Sequence, residues 1–206
     1  SGKSTLISLI PRFYDVTDGA VKVDGCDVKD FPLQTLRGKI GLVPQKALLF
    51  LGTIRDNLLW GKENATDEEL YEALRAAQAL EVVEGKPKGL DDSVETGGRN
   101  FSGGQRQRLT IARALVRRPE LLILDDSASA LDFATDAALR RALRELPWHP
   151  AVVIISQRTA SIRFADEILV LDDGRLAGKG THDELLETCE VYREIYESQF
   201  KKEDAR

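Results

Sequence analysis

The stretch LLILDDSASALD, residues 121–132, decides the fold of this chain. Four apolar residues lead directly into two adjacent acids, Asp125 and Asp126, and small residues follow up to a third acid, Asp132. A short run that is apolar throughout is typical of a strand covered on both faces of a sheet. The sequence therefore predicts a buried strand that brings carboxylates to its carboxyl end.

Similar short runs alternate with helical stretches along the rest of the chain. We expect strands in AVKVDG, KIGLVPQ, AVVIIS and EILVLDDG, several of them apolar enough to be covered on both faces. This alternation predicts an α/β fold with a mostly parallel sheet. Residues from about 53 to 117 are expected to form a mostly helical subdomain inserted between strands. Residues from about 182 to 206 are expected to form a helical tail that frays at its end.

Two capping boxes mark helix starts. Residues 66–83 have helical spacing and open with Thr66 and Glu69, and the same signature recurs at Thr181 and Glu184. We therefore expect one helix over 66–83 and another after Thr181.

Composition limits the possible partners and surroundings. The chain has 206 residues and a net charge of −5, so it can bury one substantial core and has no overall basic field for a nucleic acid. Cys26 and Cys189 are far apart and lack metal-ligand spacing, which favours a reducing compartment. No apolar run approaches about 20 residues, so we expect a soluble chain. Because it lacks Met and opens inside a motif, we expect an N-terminally truncated fragment of a single domain, residues 1–206.

That opening motif is SGKST, the second half of the phosphate-binding pattern G-x-x-x-x-G-K-[ST]. Its backbone N–H groups, at the start of a helix expected to reach about Pro11, would face a phosphate. Lys3 would reach the β and γ phosphates and Ser4 would ligate Mg²⁺, while Asp125 would supply the acid that such a loop needs for its metal. The predicted nucleotide-binding residues here are Ser1, Gly2, Lys3, Ser4 and Thr5.

A second candidate anion site lies in NFSGGQRQRLTIARAL, residues 100–115. Ser102, Gly103 and Gly104 open a predicted helix whose first backbone donors are unobstructed. The alternative is an ordinary serine-capped helix with its arginines on a solvated face. The local sequence leaves both interpretations open.

In this order the motifs resemble those of the nucleotide-binding domain of ABC ATPases, over nearly the whole chain. SGKST resembles the end of Walker A, VPQ with Gln45 the Q-loop, FSGGQ the signature, LLILDD Walker B, SALD with Asp132 the D-loop and IISQR the switch loop. The resemblance implies a P-loop NTPase-like core that binds ATP and Mg²⁺, with Ser4, Gln45 and Asp125 at the metal.

The resemblance also implies partners. Two such domains dimerise head to tail, and the signature of one meets the ATP held on Walker A of the other. Ser102, Gly103, Gly104, Gln105 and Asp132 are the residues that it assigns to the nucleotide across this dimer. LLFLGTIRDNLLWGK and GKGTHDELLE further resemble the exporter branch. They imply membrane domains contacted through the Q-loop region and a place at the cytoplasmic face of the cell membrane, as in bacterial multidrug exporters.

Two departures from the family pattern concern catalysis. Asp126 stands where Glu is usual, so its carboxylate is one methylene shorter, and a misplacement of about 1 Å can cost roughly 100-fold in rate. Gln157 stands where His is usual and cannot exchange a proton. We expect a slow site of the kind found in heterodimeric exporters with one degenerate and one consensus site. Independent drift, with Asp126 as a slower base, is the alternative.

Two other functions remain open on sequence grounds. The chain could belong to a soluble ABC ATPase acting on ribosomes or DNA, although the sustained heptads of a DNA-repair coiled coil are missing. It could also be an ATP-sensing regulatory module. The transported substrate leaves no trace in these residues.

Overall fold

The structure of the chain, a computed structural model, describes residues 2–203. The chain divides into two compact units, one formed by Ser1–Phe31 with Ile155–Arg206 and the other by Pro32–Ile154. We call them the smaller and the larger unit. The end of the tail that was expected to fray, residues 204–206, lies outside the described residues.

Short strands alternate with helices throughout both units. The strands are β1 (Lys22–Val23), β2 (Cys26–Asp27), β3 (Ile40–Val43), β4 (Gly52–Thr53), β5 (Ser93–Val94), β6 (Leu121–Asp125), β7 (Ala151–Ile155), β8 (Ile168–Asp172) and β9 (Arg175–Gly180). The helices are α1 (Lys3–Ser8), α2 (Leu33–Lys39), α3 (Ile54–Leu59), α4 (Asp67–Ala76), α5 (Leu80–Glu84), α6 (Gly103–Leu115), α7 (Phe133–Arg144), α8 (Thr159–Ile162), α9 (His182–Thr188) and α10 (Glu190–Glu203). None of the helices within residues 2–203 has the length and apolar character to span a bilayer.

A three-stranded sheet in the order β3, β6, β7 organises the larger unit. β3 and β6 run parallel, with Ile40 opposite Leu121 and Val43 opposite Leu124. β6 is the central strand, and its middle residues, Leu122 to Leu124, are buried. The predicted α/β fold and the predicted buried strand at 121–125 are thus confirmed.

β7 does not follow the same expectation. None of its five residues is buried, whereas the apolar run AVVIIS was expected to be covered on both faces. β7 has a sheet neighbour on one side only, because it lies at the edge of the described three-stranded sheet. An apolar sequence alone does not distinguish a central strand from an edge strand.

The stretch from α3 to α6, with its connecting segments, lies between β3 and β6 in sequence and contributes most of the larger core. Leu58, Leu70 and Leu74 are fully buried and belong to one cluster with the inner stripe of α6. Burial of each such leucine contributes roughly 1.5–3 kcal/mol relative to exposure. α6, which begins at the predicted signature, is therefore held firmly along its length.

The helix expected over 66–83 is instead two helices, α4 and α5. At the break, the Ala79 N–H donates to the Leu74 carbonyl at 2.8 Å and the Gln78 N–H donates to the Arg75 carbonyl at 3.1 Å. These two bonds form a Schellman motif, with Gln78 in the left-handed conformation (φ 56°) that glycine usually occupies. The sequence has no glycine or proline there, so the break was not predicted.

The smaller unit contains two antiparallel strand pairs. β1 and β2 pair across Asp24 and Gly25, both with positive φ, as a two-residue type I′ turn requires. The predicted strand AVKVDG is thus reduced to two residues. β8 pairs with β9, and a small core joins Ile168 and Val170 to residues of α9 and α10.

Helix α1 also ends earlier than expected. It stops at Ser8 instead of reaching about Pro11, and turns follow it. Proline lacks an N–H and disfavours the helical conformation of the preceding residue, so the sequence itself contains the reason for the stop.

Candidate functional site

The predicted phosphate loop lies in the smaller unit. Gly2 precedes α1 with φ 84°, a left-handed conformation that suits glycine, and its carbonyl accepts from the Leu6 N–H at 3.0 Å. Lys3 is half-buried, while Ser4 and Thr5 are exposed. Ser1 was also assigned to this loop but lies outside the described residues.

The end of β6 in the larger unit brings two predicted site residues together. Asp126 leaves the strand with φ 46°, a conformation that Asp tolerates better than most residues. Its main-chain oxygen accepts from Ser129, from the N–H at 3.2 Å and from Oγ at 2.8 Å. Its side-chain Oδ2 accepts from Nε2 of Gln45 at 3.2 Å. The turn after the strand therefore holds Asp126 in contact with the predicted Q-loop residue.

The donor set predicted for a metal has the chemistry of Mg²⁺. Ser4, Gln45 and Asp125 supply a hydroxyl, an amide and a carboxylate oxygen, and Mg²⁺ prefers such hard oxygen ligands. Because Gln45 directs its Nε2 to Asp126, its Oε1 is the atom available to a cation. Within residues 2–203 no group of three or more His, Cys, Asp or Glu side chains is placed to hold a metal ion. A few protein oxygens completed by substrate phosphates are the usual arrangement for Mg²⁺.

The signature residues begin α6 as the sequence predicts. The Ser102 Oγ accepts from the Gln105 N–H at 3.2 Å, and the Gln105 Oε1 accepts from the Ser102 N–H at 2.9 Å. These bonds form a complete capping box, so the two side chains stabilise the helix start. A Cβ added at Gly103 would have nothing within 4 Å, whereas one at Gly104 would approach the Ala130 carbonyl at 3.3 Å. The open space at the helix start thus lies over Gly103.

Asp132 caps the next helix. Its Oδ1 accepts from the Thr135 N–H and its Oδ2 accepts from the Thr135 hydroxyl, both at 2.8 Å. These hydrogen bonds hold the pKa of the Asp132 carboxyl below its usual range. Its assignment to a nucleotide stays a prediction.

Gln157 lies in the smaller unit, in the segment between β7 and α8. Its side chain is exposed, and its main-chain oxygen accepts from Nε2 of Gln199 at 2.6 Å. Gln199 was not among the predicted site residues, since nothing in its sequence context singles it out.

An exposed apolar surface follows Gln45 along the chain, and its residues were not predicted from the sequence. The rings of Phe50 and Trp60 stack with centroids 4.8 Å apart, and they are 44% and 69% exposed. Leu48 and Leu51 are exposed beside Phe50 in sequence. The apolar run at 48–51, which has neither helical nor strand periodicity, was the available signal. We call these four residues the aromatic surface.

A cavity of about 270 Å³ lies beside the aromatic surface, lined in part by Phe50, Trp60 and Arg113. The Arg113 Cζ is 5.4 Å from the Phe50 ring centroid, and its Nη2 donates to the Leu48 carbonyl at 3.1 Å. Its Nη1 is buried and finds no hydrogen-bond partner among the described residues. Burial lowers the pKa of this guanidinium. α6 thus supports the surface from beneath with a charged group.

Asn57 of α3 fixes the backbone below Phe50. Its Oδ1 accepts from the Phe50 N–H at 2.7 Å and its Nδ2 donates to the Phe50 carbonyl at 2.9 Å. The same Nδ2 donates to the Thr53 carbonyl at 2.9 Å. The backbone of Phe50, in the aromatic surface, is therefore anchored to α3.

The family model described as ABC transporter matches residues 1–129. These residues include the predicted phosphate loop, Gln45, the FSGGQ helix start and the two acids at the end of β6, Asp125 and Asp126. The chain belongs to the ABC transporter family. The matched residues contain the three stretches that resemble family motifs: SGKST (Walker A), FSGGQ (signature) and LLILDD (Walker B). The ATP-binding domains of this family are ATPases.

Individual relatives place the chain among ABC proteins over nearly its whole length. It is 49% identical over 203 residues to the uncharacterized ABC transporter ATP-binding protein YfiB of Bacillus subtilis, covering 98% of this chain and 35% of that protein. It is 44% identical over 205 residues to the ATP-dependent lipid A-core flippase of Chromobacterium violaceum, covering 100% of this chain and 35% of the flippase. The chain thus spans about a third of the length of these relatives.

A solved structure shows the same fold. The structure of a bacterial Atm1-family ABC exporter with ATP bound superposes with a TM-score of 0.92 at 37% identity, covering 96% of this chain and 35% of that one. The predicted fold class is confirmed by this match. The assignment of individual site residues stays a prediction.

Proposed function

We propose that the chain is the ATP-binding part of an ABC exporter and works at the cytoplasmic face of the cell membrane. ATP binding and hydrolysis in a head-to-tail pair of such domains would drive export through membrane domains. The relatives support this proposal, because one is a flippase by name and another an exporter.

In this proposal the smaller unit contributes the phosphate loop. The N–H groups of Gly2 to Thr5 and the Lys3 ammonium bind the ATP phosphates, and Ser4, Gln45 and Asp125 hold Mg²⁺. The metal would neutralise charge on the β and γ phosphates. The oxygen chemistry of these three side chains supports the assignment.

The chain's own site would hydrolyse ATP slowly. Asp126 has one methylene less than glutamate, and Gln45 already occupies one of its carboxylate oxygens. Gln157 can donate a hydrogen bond to a phosphate but cannot transfer a proton at neutral pH. A base that is both shorter and partly engaged would orient an attacking water poorly.

The signature would serve a partner. Helix α6 offers the N–H groups of Gly103 and Gly104, and the open space over Gly103 would admit the γ phosphate of ATP on the partner's Walker A motif. Asp132 would act in the same interface. Because this chain's own acid is short, we propose a heterodimer in which the partner carries the consensus catalytic site.

One observation carries the coupling to transport: Gln45, in contact with Asp126, lies five residues before Phe50 of the aromatic surface. Phe50 and Trp60 are 44% and 69% exposed, and stacked aromatic rings with that exposure are suited to receive a helix or loop of another domain. We propose that the membrane domains dock on the aromatic surface. Movement there would then reach Gln45 and the site acids through a short, anchored segment.

Two helical glycines allow a matched test of the signature. Added Cβ atoms at Gly103 and at Gly38 of α2 would both have nothing within 4 Å, and neither glycine has a positive φ. Alanine should therefore leave folding stability unchanged or slightly raised at both positions. In the full-length protein with its partner, Gly103→Ala should lower ATPase activity at least about tenfold, and Gly38→Ala should not.

The division of labour between the two sites has its own test. Asp126→Asn in this chain should change total ATPase activity less than twofold, while neutralising the partner's catalytic acid should abolish most of it. Collapse of activity in Asp126→Asn would contradict the slow-site assignment. Normal activity in Gly103→Ala would contradict the role of the signature.

A further inference from the structure

Gln199 of α10 holds the segment that contains Gln157 with both ends of its side-chain amide. Its Nε2 donates to the main-chain oxygen of Gln157 at 2.6 Å. Its Oε1 accepts from the Thr159 N–H at 2.9 Å and from the Thr159 hydroxyl at 3.0 Å. One side chain thus binds the backbone on both sides of Arg158, and we call these contacts the clamp.

The two ends of this clamp have different physical roles. Thr159 is the first residue of α8 and is buried, and the first N–H of a helix has no acceptor within its own helix. Gln199 supplies that acceptor from another helix, and leaving a buried N–H unpaired would be costly. At the other end, the bond fixes the backbone of Gln157 while its side chain stays exposed.

Helix α10 is itself held in place within the smaller unit. Tyr192 is buried in the small core with Ile168 and Leu185. The Arg193 side chain donates to the carbonyls of Leu186 at 2.8 Å and Glu187 at 3.0 Å, at the end of α9. Gln199 is therefore presented by a helix with a fixed position, as a positioning contact requires.

We propose that Gln199 is a positioning residue that orients Gln157 toward bound ATP, so that docking of α10 controls how long this site retains its nucleotide. The proposal rests on the proposed function in one respect, the contact of Gln157 with a phosphate. The clamp on residues 157–159 can be tested separately, because its measurement does not depend on a contact between Gln157 and a phosphate.

The first experiment tests the clamp in the full-length protein by amide hydrogen exchange resolved to Thr159. Gln199→Ala removes both ends of the clamp and should raise the Thr159 exchange rate at least about tenfold. Gln199→Glu keeps an acceptor for Thr159 but cannot donate to Gln157, so Thr159 should stay protected. Ser198→Ala, the neighbouring control, removes only an exposed bond to the Ile195 carbonyl. Unchanged Thr159 exchange in Gln199→Ala would overturn the proposal.

The second experiment tests positioning by the rate of ATP release from this chain's site. Loss of one neutral hydrogen bond corresponds to roughly a three- to tenfold change, so Gln199→Glu should release ATP faster by that factor. Gln157→Ala should do the same. If Gln199 acts through Gln157, the double variant should release ATP no faster than Gln157→Ala alone.

The outcomes separate the two proposals. Additive effects, or an effect of Gln157→Ala with none from Gln199→Glu, would overturn the positioning role and leave the proposed function intact. Release at the wild-type rate from Gln157→Ala would contradict the phosphate contact in the proposed function and overturn the positioning role with it. In that case altered Thr159 exchange would still establish the clamp as a structural contact.

Discussion

Replacing Asp126 with glutamate should speed ATP hydrolysis at this chain's own site. The substitution adds one carbon–carbon bond, about 1.5 Å long, to a carboxylate that now lies 3.2 Å from the Gln45 amide. A catalytic group misplaced by about 1 Å can lose roughly 100-fold in rate, so correcting the length alone can regain at most about that factor. Since Gln157 remains, we expect a gain of roughly 10- to 100-fold.

The measurement is single-turnover hydrolysis in the full-length pair, with the catalytic acid of the partner neutralised. In that background we expect the remaining cleavage to come from this chain's own site. Asp126→Asn is the matched control, because it keeps the length of the side chain and one oxygen that can accept from Gln45 while removing the base. We expect the single-turnover rate to be highest in Asp126→Glu, lower in the wild type and lowest in Asp126→Asn.

The result that would refute this reasoning is an Asp126→Glu variant no faster than wild type although it still binds ATP with wild-type affinity. Side-chain length would then not limit the site. A wild-type rate already close to that of the partner's intact site would be equally damaging, since it would show that aspartate suffices.

Three further outcomes can be checked independently. Gly61→Ala would place a Cβ 2.1 Å from a main-chain oxygen of α6, so we expect a loss of at least about 1–3 kcal/mol and a melting temperature lower by roughly 3–10 °C, measured by calorimetry. Trp60→Ser should leave the melting temperature unchanged, because the ring is largely exposed, but should uncouple ATPase activity from transport in proteoliposomes. Phe133→Ser, at another exposed aromatic residue, should leave the two activities coupled. Hydrogen bonds from Thr181 lower the pKa of Glu184, so this pair stabilises the fold at neutral pH, and the stabilisation is lost as pH falls below about 4. In Thr181→Val we therefore expect the free energy of unfolding to decrease less steeply with falling pH, measured by unfolding at a series of acidic pH values.

Local signals in the sequence predicted the elements around β6 well. The apolar run 121–124 gave the central strand, and the capping boxes at Thr66 and Thr181 gave the starts of α4 and α9. Each of these signals depends on residues within one element, so no knowledge of tertiary structure was needed.

Features that depend on distant partners could not be predicted in this way. The break at Gln78 needs a left-handed residue without glycine, and the exposure of β7 depends on its place in the sheet. The contact of Gln45 with Asp126 spans 81 positions, and the clamp by Gln199 spans 40. The sequence predicted functional roles for Gln45 and Asp126, but only the structure shows that the two residues are in contact.

The bonds between Asn57 and Phe50 have a practical consequence for spectroscopy. Because both main-chain groups of Phe50 are tied to α3, the neighbouring Leu51, which is 76% exposed, is carried on a stiff support. A spin label or fluorophore attached at Leu51 would therefore follow the rotation of α3, with little contribution from independent motion of the loop. Distances measured from such a label with and without ATP would report how far this part of the protein moves.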